Sequence, residues 1–193
     1  KKLLFEKFVG LTKDKQKIKF LYKRAEKKLI KDIKKFNLIN SGDTIEYPAS
    51  GIKYLNKISK KIKKYNGALL TFDYGYIEEK NKNTLQAVKS HKYYNILKKP
   101  GTADITHHLN YKLFIKILKK NNLDVEEVVT QSEFLQRMGI IERANILAKK
   151  ITFKSKADMF YRVKKLIDHS EMGSLFKVLL AQKKKNKFFL GFK

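Results

Sequence analysis

Residues 67–76, with the sequence GALLTFDYGY, limit the possible folds of this chain more than any other segment. An almost unbroken apolar run between glycines is typical of a strand that is buried on both faces, as central strands of parallel sheets are. A helical pattern comes immediately before it, and a helix, a tight turn and a buried strand together indicate a βαβ-type arrangement. The chain is therefore predicted to be an α/β protein.

Polar groups follow this predicted strand. In open α/β sheets, ligands bind outside the carboxyl ends of the strands, so Asp73 and Tyr74 would face a ligand. The alternative, which a lone Asp after a strand favours, is that Asp73 only caps the next turn.

Apolar periodicity predicts a second α/β unit after this one and a hairpin before both. The predicted helices are 24–36, 52–65 and 110–123, and the predicted strands are 3–9, 18–22, 124–131 and 174–182. Residues 84–91 predict a short helix or a turn. Residues 100–108 predict a long polar loop of the kind that often holds functional groups.

The composition excludes several classes of protein. The chain of 193 residues contains no Cys, so it has neither a disulfide framework nor a thiolate metal site. No apolar run approaches the roughly 18 residues that a membrane span needs, and the first residues do not resemble a signal peptide. One domain in a reducing, soluble compartment is expected.

The net charge of +27 invites a nucleic-acid function, because clustered basic side chains neutralise phosphates. Two observations weigh against it: Arg, which makes bidentate contacts to phosphate and guanine, occurs only four times, and Lys is spread over every amphipathic helix. In helix 52–65 six lysines are interpreted as a solvated face, opposite a buried stripe of Ile52, Leu55, Ile58, Ile62 and Tyr65. Compositional drift is the favoured explanation, and a polyanion-binding surface stays open.

Few residues suggest chemistry. Dinucleotide, Walker A, nucleophile-elbow and zincin motifs are absent, and the four histidines lack metal-ligand spacing, so no metal site is expected. The remaining candidates lie in or beside the predicted loops, and they are Asp73, His91, Asp104 and His108. Carboxylates and imidazoles can orient a cationic substrate and accept its proton. A loop-stabilising hydrogen bond is an equally simple role for each.

Five blocks resemble, in order, the C-terminal motifs of the MidA-like class I S-adenosylmethionine-dependent methyltransferases, the family of a mitochondrial complex I assembly protein arginine methyltransferase. The blocks are GALLTFDYGY (67–76), TLQA with His91 (84–91), PGTADIT (100–106), TQSEFL with MGI (130–140) and MGSLFKV (172–178). The resemblance implies the C-terminal half of a doubly wound methyltransferase sheet, in a single partial domain. Residues 1–43 would be an inserted hairpin and helix, and 44–193 the half-sheet.

In that scheme 68–74 is the fifth strand, 124–131 the sixth and 174–181 the antiparallel seventh. The implied activity is methyl transfer from S-adenosylmethionine to an arginine of a protein substrate, with a link to respiratory complex I assembly. The implied catalytic residues are Asp73, His91, Asp104 and His108, and the implied substrate-binding residues are Tyr74, Gly75, Pro100, Gly101 and Thr106. The bacterial cytoplasm is the expected location, or the mitochondrial matrix in a eukaryote.

Some family features are missing. The glycine-rich cofactor loop after the first strand and the Asn-Glu and Asp-Ala-Leu-Pro type motif after the fourth do not occur, and Asn110 stands where the family pattern has Asp. The expectations are that this chain contributes no residue to cofactor binding and is inactive and poorly soluble or oligomeric alone. Two origins of the half-domain stay open: a split gene whose N-terminal half is a separate chain, or a truncated piece of a longer protein. The alternative function is a basic module that binds nucleic acid or an acidic protein.

Overall fold

The computed structural model describes residues 3–39, 44–78, 82–184, 186 and 188–193. In chain order the elements are β1 (Phe5–Leu11), β2 (Ile18–Arg24), α1 (Lys27–Lys35), α2 (Ala49–Tyr65), β3 (Ala68–Tyr76), β4 (Gln86–Lys89), β5 (Lys92–Tyr94), β6 (Asp104–Thr106), β7 (Leu109–Asn110), α3 (Tyr111–Lys120), β8 (Leu123–Val125), β9 (Val129–Thr130), α4 (Gln131–Arg137), α5 (Ile140–Ala148), α6 (Phe153–Ile167), α7 (Met172–Leu175) and β10 (Phe176–Lys183). The alternation confirms the α/β class. The predicted boundary at residue 43 lies outside the described residues.

The chain divides into two compact units. The first comprises Lys1–Tyr47 and Glu79–His108, and the second comprises Pro48–Glu78 and Leu109–Lys193. The first unit contains the predicted hairpin, in which β1 and β2 pair antiparallel from Phe5 opposite Arg24 to Leu11 opposite Ile18. It also contains a three-stranded sheet in the order β5-β4-β6.

That small sheet corrects two predictions. Residues 84–91 are not a helix, because Ser90 and His91 both have positive φ values, 50° and 61°, and form the two-residue turn between β4 and β5. Such turns match the right-handed twist of the strands they join. The predicted loop 100–108 also contains a strand, since β6 pairs antiparallel with β4.

The sheet of the second unit has the order β7-β3-β10-β8, with β9 also paired to β10. β10 runs antiparallel to β3, β8 and β9, whereas β3 and β7 are parallel. The predicted strand 124–131 forms two short strands along one edge of β10. Between them Glu126 still donates its N–H to the carbonyl of Leu180 at 3.0 Å. The strand that the resemblance implies as the antiparallel seventh runs antiparallel, and it lies between the fifth and the sixth.

The strand that is buried on both faces is β10 rather than β3. Residues 178–182 are all buried in succession, with α4 packing Phe134 against Val178 and Leu180. In β3, Leu70 and Phe72 are 47% and 41% exposed. The prediction of a doubly buried β3 was wrong, because the face of β3 that carries Leu70 and Phe72 is only partly covered: Phe134 of α4 packs edge-on against Phe72 with ring centroids 5.0 Å apart.

Helix α2 also departs from its predicted burial. Leu55, Ser59 and Ile62 are buried, whereas Ile58 is 41% exposed and Tyr65 is 63% exposed. Ser59 can occupy the buried face because its hydroxyl donates to the carbonyl of Leu55 at 2.8 Å. The helix ends at Asn66, whose left-handed conformation lets the N–H of Gly67 reach the carbonyl of Ile62.

Candidate functional site

Asp73 lies near the carboxyl end of β3, where the sequence placed it. Its side chain is exposed, one carboxylate oxygen accepts the N–H of Tyr74 at 2.8 Å, and Lys177 of β10 lies directly opposite in the register. An opposite-charge pair across neighbouring strands stabilises a sheet modestly. Asp73 therefore combines a local backbone contact with an accessible carboxylate.

Tyr111, at the start of α3, fixes this end of β3. Its side chain is fully buried, and its hydroxyl lies 3.1 Å from the carbonyl of Asp73 and 2.9 Å from the carbonyl of Lys177. One phenol thus joins β3 and β10 beside the candidate carboxylate. Burial, and secondarily the charge of Asp73, raises the pKa of Tyr111 to about 12, so the hydroxyl stays a hydrogen-bond donor.

Close packing requires a glycine at position 75. It is buried where β3 meets β7, and a Cβ there would collide with the carbonyl of Leu109 and lie 2.9 Å from the ring of Tyr111. Tyr74, half-buried beside it, packs edge-on against Phe176 with ring centroids 5.6 Å apart. These contacts account for both residues structurally, and their predicted contact with substrate stays a prediction.

The three other catalytic candidates belong to the first unit. His91 is exposed in the turn between β4 and β5, and Asp104 is exposed at the start of β6, opposite Val88 of β4. His108 follows β6 and is half-buried. The first unit therefore gathers His91, Asp104 and His108 around one small sheet, whereas Asp73 belongs to the second unit.

A hydrogen-bond network that the sequence did not reveal holds the end of this sheet. The carboxylate of Glu46 accepts the N–H of Thr84 at 2.8 Å, the hydroxyl of Thr84 at 2.6 Å and the N–H of Leu85 at 2.9 Å. The Thr84 oxygen in turn accepts the N–H of His108 at 2.9 Å. Glu46 thereby positions the backbone at His108 through Thr84.

The remaining substrate-binding candidates lie nearby in sequence. Pro100 and Gly101 are exposed in a turn, and Gly101 has a φ of +81°, which glycine adopts without strain. Thr106 accepts a hydrogen bond from the side-chain amide of Gln86 at 3.2 Å, which ties β6 to β4. Asn110 caps α3 by accepting the N–H of Leu113 at 3.0 Å, which accounts structurally for this departure from the family pattern.

Two cavities were tested against the needs of a cofactor. One, of about 440 Å³, lies on α2 between Ser50 and Lys60 and has no acidic or glycine lining. The other, of about 310 Å³, contains Asp168, but one oxygen of that carboxylate already accepts the N–H and hydroxyl of Ser170. Neither offers a glycine cradle with a free carboxylate for ribose hydroxyls, so these cavities do not fit S-adenosylmethionine.

The described residues contain no group of three or more His, Asp or Glu side chains arranged to hold a metal ion. In the same residues, no helix is both long enough and apolar enough to cross a membrane.

The sequence is similar to a family of methyltransferases. Residues 1–129 match the family model described as "Putative S-adenosyl-L-methionine-dependent methyltransferase". The chain is 30% identical over 136 residues to the mitochondrial protein arginine methyltransferase NDUFAF7 of Xenopus tropicalis, a match that covers 70% of this chain and 31% of that protein. The Drosophila melanogaster homolog is 29% identical over 136 residues, a match that again covers 70% of this chain and 31% of that protein.

Solved structures show the same fold. An uncharacterised protein from Burkholderia thailandensis superposes with a TM-score of 0.80 at 19% identity, covering 97% of this chain and 51% of its own. A superfamily member from the same organism, bound to S-adenosyl-homocysteine, gives a TM-score of 0.76 at 20% identity and covers 97% and 49%.

The mixed sheet with an antiparallel β10 between β3 and β8, together with these superpositions, defines an α/β protein of the methyltransferase fold. The chain belongs to the S-adenosyl-L-methionine-dependent methyltransferase family. Its match spans about a third of the length of the curated relatives.

Proposed function

We propose that this chain forms the acceptor-side part of an S-adenosylmethionine-dependent protein methyltransferase that acts on arginine. The observation that carries the proposal is the family match over residues 1–129, joined to relatives that are named protein arginine methyltransferases. A link to respiratory complex I assembly is part of the proposal through the family resemblance. A location in the bacterial cytoplasm or the mitochondrial matrix follows from it in the same way.

In this proposal Asp73, in the second unit, and Asp104, in the first, are each a candidate to bind a guanidinium group of the substrate. Both carboxylates are exposed, and carboxylates pair with guanidinium groups through charge-assisted, often bidentate hydrogen bonds. His91 and His108 are the candidates to accept the proton that the guanidinium loses. Methyl transfer itself depends mainly on aligning the attacking nitrogen with the methyl group.

The proposal also gives a role to the edge of β3 that faces away from β10. Residues 68–73 pair with a strand on one side only within the described chain, and the relatives are about three times as long as the matched segment. A strand from the region of the relatives outside the match would pair along this edge. Cofactor binding belongs to that region, because the described cavities do not fit the cofactor.

A chimera tests the function directly. The matching segment of the Xenopus tropicalis relative is replaced by this chain, and the purified protein is incubated with S-adenosylmethionine and a protein extract from cells that lack the relative. Methylarginine is then measured by mass spectrometry. We expect methylarginine to form, and we expect Asp73→Asn or Asp104→Asn to lower the rate by about tenfold or more, since a hydrogen bond to a charged group contributes about 1.5–3 kcal/mol.

Asp158→Asn is the matched control, because this exposed carboxylate on α6 only pairs with Arg162 at 2.9 Å. It should leave the rate unchanged. A folded chimera that forms no methylarginine would contradict the proposed activity. Full activity in both acidic-site variants would contradict the assigned residues while leaving the activity in place.

A further inference from the structure

The exposed face of α2 concentrates positive charge. Five lysines lie there, all exposed, within an arc of about 100° at the helical rotation of 100° per residue, and they are Lys53, Lys57, Lys60, Lys61 and Lys64. The helix contains no Asp or Glu. Like charges four residues apart, such as Lys53 and Lys57, repel by a few tenths of a kcal/mol per pair, so α2 folds against this repulsion.

Two tyrosines follow the margin of the same face. Tyr54 and Tyr65 are 66% and 63% exposed, and their separation of eleven positions brings both rings to nearly the same angular position on the helix. The ammonium of Lys57 lies 5.6 Å from the Tyr54 ring centroid, and that of Lys64 lies 5.1 Å from the Tyr65 ring centroid. The sequence pattern had assigned Tyr65 to the core, so only the structure shows this pair of exposed rings among lysines.

We propose that this lysine–tyrosine face of α2 binds single-stranded nucleic acid, with ammonium groups on the phosphates and the tyrosine rings stacked on bases. The five lysines extend over about 16 Å of helix axis, with an average axial spacing of about 4 Å, so several of them can contact successive phosphates of one strand. The cavity of about 440 Å³ between Lys53, Tyr54 and Lys60 would hold the sugar-phosphate backbone of the nucleic acid beside the ring of Tyr54. This binding function does not depend on the proposed methyl transfer.

The scarcity of Arg is compatible with this function. Arg supplies bidentate recognition of guanine, whereas Lys contacts phosphate as a point charge and carries no base preference. Positive grooves with exposed aromatic rings are typical of proteins that bind single strands without sequence preference. An acidic protein segment would use the lysines but would gain nothing comparable from the two rings.

Fluorescence anisotropy with a labelled oligouridine of about 12 nucleotides tests the proposal on the full chain. The charge variant carries Lys53→Gln, Lys57→Gln and Lys61→Gln. The matched control carries Lys154→Gln, Lys156→Gln and Lys164→Gln, three exposed lysines of α6, and so makes the same change in net charge. The stacking variant carries Tyr54→Ala and Tyr65→Ala, and its conservative counterpart carries Phe at both positions.

Binding by the intact chain should weaken about 100-fold between 50 and 200 mM salt if five phosphates are contacted, and only about sevenfold in the charge variant. The stacking variant should bind at least about fivefold more weakly, and the phenylalanine counterpart should recover that loss. Circular dichroism confirms that each variant is folded.

Equal weakening in the α6 control would overturn the proposal, because the binding would then come from overall charge. Polyglutamate that competes equally well, with no effect of the tyrosine changes, would also overturn it and would identify an acidic polypeptide as the partner of this face.

Discussion

At the scale of single residues, Tyr111 connects stability to the candidate site. Replacing Tyr111 with Phe removes the hydroxyl that contacts the carbonyls of Asp73 and Lys177, so we expect the free energy of unfolding to fall by about 1–3 kcal/mol. Urea unfolding measures this change. Tyr93→Phe is the control, because Tyr93 is 84% exposed and its change should stay within about 0.5 kcal/mol.

The same substitution has a pH dependence with a definite sign. The folded pKa of Tyr111, about 12, lies above the ordinary value of 10.0, so its stabilising effect is complete below pH 10 and is lost as the pH rises towards 12. The difference in stability between the intact chain and the Phe variant should therefore shrink across that interval. A constant difference would show that the hydroxyl is not held protonated by burial.

Residue roles of this kind could be predicted only in part. Asp73 was found because a carboxylate after an apolar run occupies the ligand end of a strand. Glu46 was missed because its three acceptor contacts, to Thr84 and Leu85, join segments about 38 residues apart, and no local pattern encodes such a contact. The role of Tyr111 was missed for the same reason, since helical spacing indicates that a side chain is buried but not what its hydroxyl meets.

At the scale of elements, α4 depends on a capping box. Thr130 accepts the N–H of Glu133, and the Glu133 carboxylate accepts the N–H of Thr130 at 2.7 Å. Thr130→Ala should therefore cost about 0.5–2 kcal/mol in urea unfolding. Thr152→Ala should cost less, because the cap of α6 accepts the N–H of Ser155 at the longer distance of 3.4 Å and its other contact, 3.0 Å to the Ser155 hydroxyl, satisfies no backbone N–H.

The same capping box should make the free energy of unfolding depend on pH under acid conditions. The hydrogen bond from the Thr130 backbone is the first cause that lowers the pKa of Glu133 below 4.5, so the stabilisation is present above that pH and is lost as the pH falls through the lowered value. Glu133→Gln should reduce this loss on the acid side. An unchanged acid profile in that variant would show that Glu133 does not act as the cap.

The elements themselves were predictable where the periodicity was long. The hairpin, α2, α3 and β10 occur near their predicted positions, because their apolar residues recur over seven or more positions. The burial of β3 was overestimated, because a short apolar run does not show whether both faces of the strand are covered. β4 was missed because four residues are too few for a periodic pattern.

At the scale of the whole molecule, the edge of β3 that faces away from β10 leads to a prediction about hydrogen exchange. Strand β3 faces β10 with one edge, and residues 68–73 have no other strand partner among the described residues. In an antiparallel pair only alternate residues direct their N–H groups to the partner, so the other amides of β3 point to the free edge. Those amides should exchange rapidly with deuterated water, whereas the amides of β10, paired on both sides, should be protected.

Adding the region of the Xenopus tropicalis relative that lies outside the match should protect the outward amides of β3 and leave β10 unchanged, if a strand pairs there as proposed. Hydrogen exchange with peptide-level mass spectrometry measures both strands in one experiment. The control is the same addition to a chain with Leu70→Pro, because proline has no N–H and disfavours strand pairing at its position. Protection of β3 that depends on the concentration of this chain alone would instead mean that its copies pair with one another along this edge.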